Sequence, residues 1–182
     1  MYSFDYQRPA DRKGAAAAYQ GDARFLAGGQ SLVQAMRLRM SQSERLVDLG
    51  GISDLRGAKA DGGVVTIGAM TTHAAVAASP EVRKAIPALA ELAGGIGDPS
   101  VRNMGTIGGS IANNDPAADY PAALLALGAT VQTDRRSIPA DQFFTGVYET
   151  ALQPGELVTA VSFPVPQNAA YAKRDAGCLN FA

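Results

Sequence analysis

Apolar residues recur along the chain at two spacings, one suited to helices and one to strands, so elements of both kinds are expected. The alanine-rich stretch 10–19 reads as a helix and the short apolar run 24–26 as a strand. Leu32, Met36 and Met40 share one helical face, and Ser31 with Gln34 has the form of a capping box. A second helix is therefore expected from Ser31 to about Ser41. The run 46–49 returns as a strand toward Gly50-Gly51. Two short runs, 55–60 and 64–67, flank Asp61-Gly62-Gly63 and predict a hairpin. Pro80 suits a first helical turn, Val82, Ile86, Leu89 and Ala93 form one face, and Gly94-Gly95 ends that helix. Asp115 ahead of Pro116 predicts a capped helix to about Leu127, and strands over 129–133 and 157–163 are expected to close a mixed sheet.

Composition narrows the function. The 182 residues are 47% hydrophobic, enough for one core or two small lobes sharing an interface. Sixteen basic residues nearly balance seventeen acidic ones, and no basic run marks a nucleic-acid track. No stretch approaches the roughly 20 apolar residues of a membrane span, and residues 1–8 lack signal-peptide order, so a cytoplasmic protein is expected. One cysteine, Cys178, excludes an internal disulfide and any four-cysteine metal site in this sequence; one histidine, His73, leaves no histidine pair. Redox chemistry here would rest on an organic cofactor or on metals held by other subunits.

Five double glycines occur, at 28–29, 50–51, 62–63, 94–95 and 108–109, and most read as turns. Two differ, because each follows an apolar run and leads toward a helix: Phe25-Leu26-Ala27 before Gly28-Gly29, and Thr106-Ile107 before Gly108-Gly109. A dinucleotide diphosphate needs several backbone N–H groups at close range, and paired glycines permit that approach. The helix opening at Ser31 adds its positive end. The Rossmann fingerprint is absent, since Gly28-Gly29 lacks a correctly placed third glycine, and so is a Walker lysine. On the residues alone, a two-loop phosphate cradle and ligand-free turns both stay open.

The stretch Leu26-Ala27-Gly28-Gly29-Gln30-Ser31-Leu32 and the longer run from Arg102 through Thr106-Ile107-Gly108-Gly109-Ser110 to Asp119 resemble the medium flavoprotein subunits of the carbon monoxide dehydrogenase and xanthine dehydrogenase family. The resemblance extends to about Lys173. It implies a two-lobed α+β FAD-binding fold of the vanillyl-alcohol-oxidase and p-cresol-methylhydroxylase type, with FAD extended between a lobe at 1–55 and a second at 56–166. Residues Ala27 to Ser31 and Thr106 to Ser110 would form the two diphosphate loops, with Leu26 and Leu32 also at the cofactor. Family members commonly carry asparagine where this chain has Ser110. By the same resemblance Asp119 would meet sugar or ribityl hydroxyls, Val158 would offer a backbone contact near the flavin ring, and Lys173 would be a cation near the cofactor. Residues 167–182 read as the start of a further domain that these flavoproteins carry and this sequence lacks.

The resemblance further implies partners: a small subunit with [2Fe–2S] clusters and a large molybdopterin subunit, in a heterotrimer or its dimer. Electrons would pass from iron–sulfur clusters through FAD to an external acceptor, which needs no catalytic acid or base in this chain. The alternative is a flavin-free docking module that keeps the fold. Among other candidates, Asp115 reads as a helix cap, His73 as a helix-entry residue with a satisfied ring, and Arg102 as a structural donor or a phosphate counter-charge. Tyr6, Tyr120 and Tyr148 read as packing residues, Tyr120 being close enough to Asp119 to line the site. Cys178 is given no role.

Overall fold

The structure, a computed structural model, describes residues 1–173. It opens with β1 (Asp5–Gln7), α1 (Arg12–Ala18), β2 (Ala23–Leu26), α2 (Leu32–Arg37) and β3 (Arg45–Asp48). β3 lies between β1 and β2 and runs parallel to both, with α2 as the crossover from β2 to β3. Asp11 starts α1 by accepting the Gly14 N–H at 2.7 Å. A small core of Ala15, Val47, Leu49, Ile52 and Leu55 covers this sheet, and Met70 and Leu157 join it from later in the chain.

The hairpin of β4 (Ala58–Asp61) and β5 (Val64–Gly68) follows, turning on Gly62 and Gly63 at φ +55° and +78°, the geometry that suits two-residue hairpins. Six short helices come next: α3 (His73–Ala78), α4 (Pro80–Ala85), α5 (Pro87–Gly94), α6 (Pro99–Met104), α7 (Ile107–Asn113) and α8 (Asp119–Ala126). The described chain then runs through β6 (Thr130–Thr133), β7 (Ser137–Pro139), α9 (Ala140–Phe143), β8 (Phe144–Gly146), β9 (Glu149–Thr150) and β10 (Val158–Pro164). Strands pair in the order β4-β5-β10-β6-β7, and Val65, Ile67, Val131, Val161 and Phe163 enter one core with Leu89, Ile107, Tyr120 and Leu124 from the helices. Burial of each such large side chain contributes about 1.5–3 kcal/mol.

Several expectations are corrected. Ser31 makes no side-chain cap bond, and α2 ends at Arg37, after which Arg39 turns at φ 59° and leaves Met40 79% exposed, so neither the capping box nor the last apolar position forms. The helix expected across 80–93 breaks at Ile86, because Pro87 has no N–H to continue it. Asp115 does not cap a helix; it accepts the Ala117 N–H at 2.8 Å, and α8 begins only at Asp119. The five-stranded sheet is antiparallel throughout, not mixed, and parallel pairing belongs to the first sheet. His73 does open a helix, α3, as expected, whereas β1, α6, β7, α9, β8 and β9 are not legible in the residue pattern. Cys178 and the rest of 174–182 lie outside the described residues.

Candidate functional site

Between β2 and α2 the chain makes a loop in which Gly29 takes φ +71°. α2 is started by Val33 N–H to Gly29 O at 3.1 Å and Ala35 N–H to Ser31 O at 3.0 Å. Among the described residues, none of the N–H groups of Gly28, Gly29, Gln30, Ser31 and Leu32 finds a protein acceptor. The Gln30 amide donates to Gly28 O at 3.2 Å and so shapes the loop from inside. Consecutive free donors on a glycine loop make an anion-binding concavity, since each must be satisfied by water or a ligand.

The second glycine pair differs from its expected form as an open loop. It is the first turn of α7, capped by Thr106, whose hydroxyl accepts the Gly109 N–H at 3.1 Å. The other donors there are also engaged: Ile107 to Thr71 O (3.1 Å), Gly108 to Ala69 O (2.9 Å) and Ser110 to Thr106 O (3.0 Å). Glycine is required for packing instead. A Cβ on Gly108 would lie 2.6 Å from that of Ala69, and a Cβ on Gly28 would overlap the Met104 carbonyl oxygen. Both motifs thus use glycine for close packing, and the first also presents free donors, while those of the second are used.

A cleft of about 540 Å³ separates the two motifs. Leu26, Ala27, Gly28, Gly29, Gln30, Ser31 and Leu32 line one wall, Thr106, Gly108, Gly109 and Ser110 the other, and Val158 stands at the start of β10. Ile107 does not reach it, being fully buried in the main core. Asp119 and Lys173 are also off the lining and pair with each other at 3.1 Å, while Tyr171 donates to Asp119 at 3.0 Å. Burial and the Asp119 charge push the Tyr171 hydroxyl up to about 12. A second cavity of about 370 Å³ continues behind Gly28-Gly29, with Arg8, Arg56 and Asn103 among its walls.

Two lining residues carry no sequence signal for the site. Glu156, buried beside Val158, accepts from Arg136 at 2.9 and 3.0 Å, from the Thr133 hydroxyl at 2.9 Å and from the Gln153 N–H at 2.9 Å. The Arg136 bonds lead in holding its carboxyl down to about 2. His73 is 5% exposed, and burial pulls its imidazole down to about 4. Its ring is not satisfied as expected: Nδ1 is sealed and has no partner. Tyr120 is fully buried and off the cleft, while Tyr6 and Tyr148 are 51% and 59% exposed rather than packed. Arg102 is structural, donating to Ile96 O at 3.0 Å and Gly97 O at 2.7 Å. Among the described residues no three His, Cys, Asp or Glu side chains gather to hold a metal.

Residues 2–166 match the family described as FAD binding domain in molybdopterin dehydrogenase. The chain is 44% identical over 171 residues to the carbon monoxide dehydrogenase medium chain of Afipia carboxidovorans, covering 90% of this chain and 59% of that one. It is 40% identical over 151 residues to the nicotine 6-hydroxylase medium subunit of Paenarthrobacter nicotinovorans, covering 81% and 53%. The solved structure of quinoline 2-oxidoreductase from Pseudomonas putida 86 aligns with a TM-score of 0.89 at 35% identity, covering 91% of this chain and 60% of that one. The chain therefore spans little more than half the length of the curated relatives it matches. Both motifs behind the resemblance fall inside the matched residues, and the chain belongs to the FAD-binding domain family of the molybdopterin dehydrogenases.

Proposed function

We propose that this chain is the FAD-holding part of the flavoprotein subunit of a molybdenum-containing hydroxylase or dehydrogenase complex. The observation that carries this reading is the run of five N–H groups at 28–32, on the lining of a cleft, that have no acceptor among the described residues. A diphosphate offers charged acceptor oxygens in a row, and donors to ionised acceptors form the stronger class of hydrogen bond. Half-buried Gly28 and Gly29, with no side chain to intrude, fit that group. The fold is read as the vanillyl-alcohol-oxidase and p-cresol-methylhydroxylase type, with FAD lying between the two sheets' lobes.

In this reading residues 26–32 hold the diphosphate. Thr106, Gly108, Gly109 and Ser110 form the facing wall, the Ser110 hydroxyl standing in for a longer amide. Ile107 serves by anchoring that wall in the core. Val158 lies toward the flavin ring. Asp119 would meet hydroxyls of the cofactor and Lys173 would be the cation near it, and their ion pair leaves the carboxylate with lone pairs to accept from a hydroxyl. FAD when bound supplies electron transfer between an internal donor and an external acceptor. The chain's own residues bind it, orient it and exclude water, so no catalytic residue is assigned. The partners are a [2Fe–2S] small subunit and a molybdopterin large subunit, in a heterotrimer or its dimer, in the cytoplasm. Among the described residues no helix is long and apolar enough to cross a membrane. Relatives named for carbon monoxide and for nicotine, chemically unlike molecules, support placing substrate chemistry on another subunit.

The test is titration of the purified full chain with FAD. A yellow protein that releases one FAD per chain on denaturation is expected, and copurification with iron–sulfur and molybdenum subunits supports the complex. A colourless protein that takes up no FAD overturns the reading in favour of a flavin-free docking module.

A further inference from the structure

His73 opens α3 at the wall of the cleft. Its backbone N–H donates to Gly105 O at 3.0 Å, and its ring presses on the same residue: a Cβ on Gly105 would lie 2.5 Å from Nε2. Gly105 in turn touches Gly28, whose Cβ would lie 2.9 Å from the Gly105 Cα. Imidazole, Gly105 and Gly28 are therefore stacked in series, and the unpaired donors begin at Gly28.

The two ring nitrogens meet different surroundings. Nδ1 is sealed and unpartnered, whereas Nε2 lies against Gly105, which lines the cleft with His73. The fully buried hydroxyl of Tyr120 is also without a partner, and its ring lies 5.4 Å from the His73 ring, centroid to centroid. The ligand's chemistry decides the tautomer: a diphosphate oxygen only accepts, so a neutral ring that meets it must carry its hydrogen on Nε2. Nδ1 is then an acceptor, and the Tyr120 hydroxyl beside it carries a donor, since burial with the nearby Asp119 charge pushes its ionisation far above the ordinary range. One bridging water would join the two.

We propose that His73 is a cofactor-binding residue, donating from Nε2–H into the cleft to a diphosphate oxygen of FAD, with the Tyr120 ring packed behind it. This rests on the FAD reading above. Neutrality is part of the design. Glu81, Arg83 and Lys84 of α4, Glu91 of α5 and Arg102 of α6 sit on helices packed against α3, yet only Asp119 acts on the ring's charge, opposing burial and losing to it. His73 is thus a fixed dipolar donor, and an ion pair with phosphate is not formed at neutral pH.

The experiment titrates FAD into the full chain as wild type, H73L, H73Q and Y120F, following flavin fluorescence, with melting curves as a fold control. Wild type that takes up no FAD overturns the FAD reading itself. With wild type binding, H73L is expected to weaken affinity about ten- to a hundredfold, the worth of a hydrogen bond to a charged group. H73Q, whose amide nitrogen reaches near the Nε2 position, should recover most of the loss, and Y120F should fall between. Affinity should stay flat from pH 8 to 5. Equal binding by H73L and wild type, or binding that tightens on acidification as an imidazolium would require, overturns this inference alone. Should H73L fail to fold, the wild type still decides. With a single histidine in the chain, ¹⁵N-histidine labelling reports only this ring, and a hydrogen on Nδ1 or an Nε2–H unmoved by FAD refutes the proposal.

Discussion

Replacing Gly28 with alanine adds one methyl group where the chain has no room for it. The new Cβ would overlap the Met104 carbonyl oxygen, lie 2.6 Å from the Met104 carbonyl carbon and 2.9 Å from the Gly105 Cα. All three atoms are backbone, so no rotamer change relieves the contact. Either the β2–α2 loop or the end of α6 must move. Overpacking costs about 1–3 kcal/mol, and rigid obstacles place this case near the top, about 3 kcal/mol. At about 2–4 °C per kcal/mol for a chain of this size, the melting temperature should fall by about 6–12 °C. FAD affinity should fall as well, because the displaced loop carries the five unpaired donors. Calorimetry of the ligand-free protein and an FAD titration read the two effects separately. Gly62→Ala is the control: nothing lies within 4 Å of its Cβ, and only the φ of +55° is strained, at about 1–2 kcal/mol, with FAD binding unchanged. A G28A protein that melts and binds like wild type would refute the packing argument.

Glu156→Gln should destabilise the chain at pH 7 by about 3 kcal/mol at most, as a group held 2.5 units below its usual value implies, with screening at half-exposed Arg136 lowering the figure. Because this carboxyl is depressed, its contribution is full above about pH 4.5 and lost as pH falls toward about 2, so the gap between E156Q and wild type should close across that window in acid melts. His73 acts at higher pH. Its folded value lies near 4 against 6.5, so the unfolded ring takes up a proton first, and stability should decline from about pH 6.5 toward 4 in wild type but not in H73Q. Asn114→Ala should loosen the β8–β9 hairpin, since its amide donates to Gly146 O and Glu149 O at 2.8 Å each; hydrogen exchange at 144–150 that matches wild type would count against that clamp. The isolated chain should bind neither iron nor molybdenum stoichiometrically, which elemental analysis checks.

The sequence by itself carried the family, through two motifs whose residue order is specific, and it carried the hairpin at Gly62-Gly63 and the strand before Gly28, because turn glycines and short apolar runs are local signals. It set these two glycine pairs apart from the other three as candidate phosphate loops but treated them alike. Only the tertiary structure separated them: the donors at 107–110 are consumed by Thr71, Ala69 and Thr106, whereas those at 28–32 are left open. Which N–H groups are free depends on what packs against them, and Ala69 and Thr71 stand more than thirty positions from Gly108 and Ile107, whose N–H groups they accept. The same holds for His73 and Glu156, ordinary polar residues in the chain that become buried and perturbed through contacts with Gly105, Tyr120 and Arg136. Burial and partner choice are long-range properties. Local pattern reports backbone preference, and only the folded chain decides which polar groups are left facing a ligand.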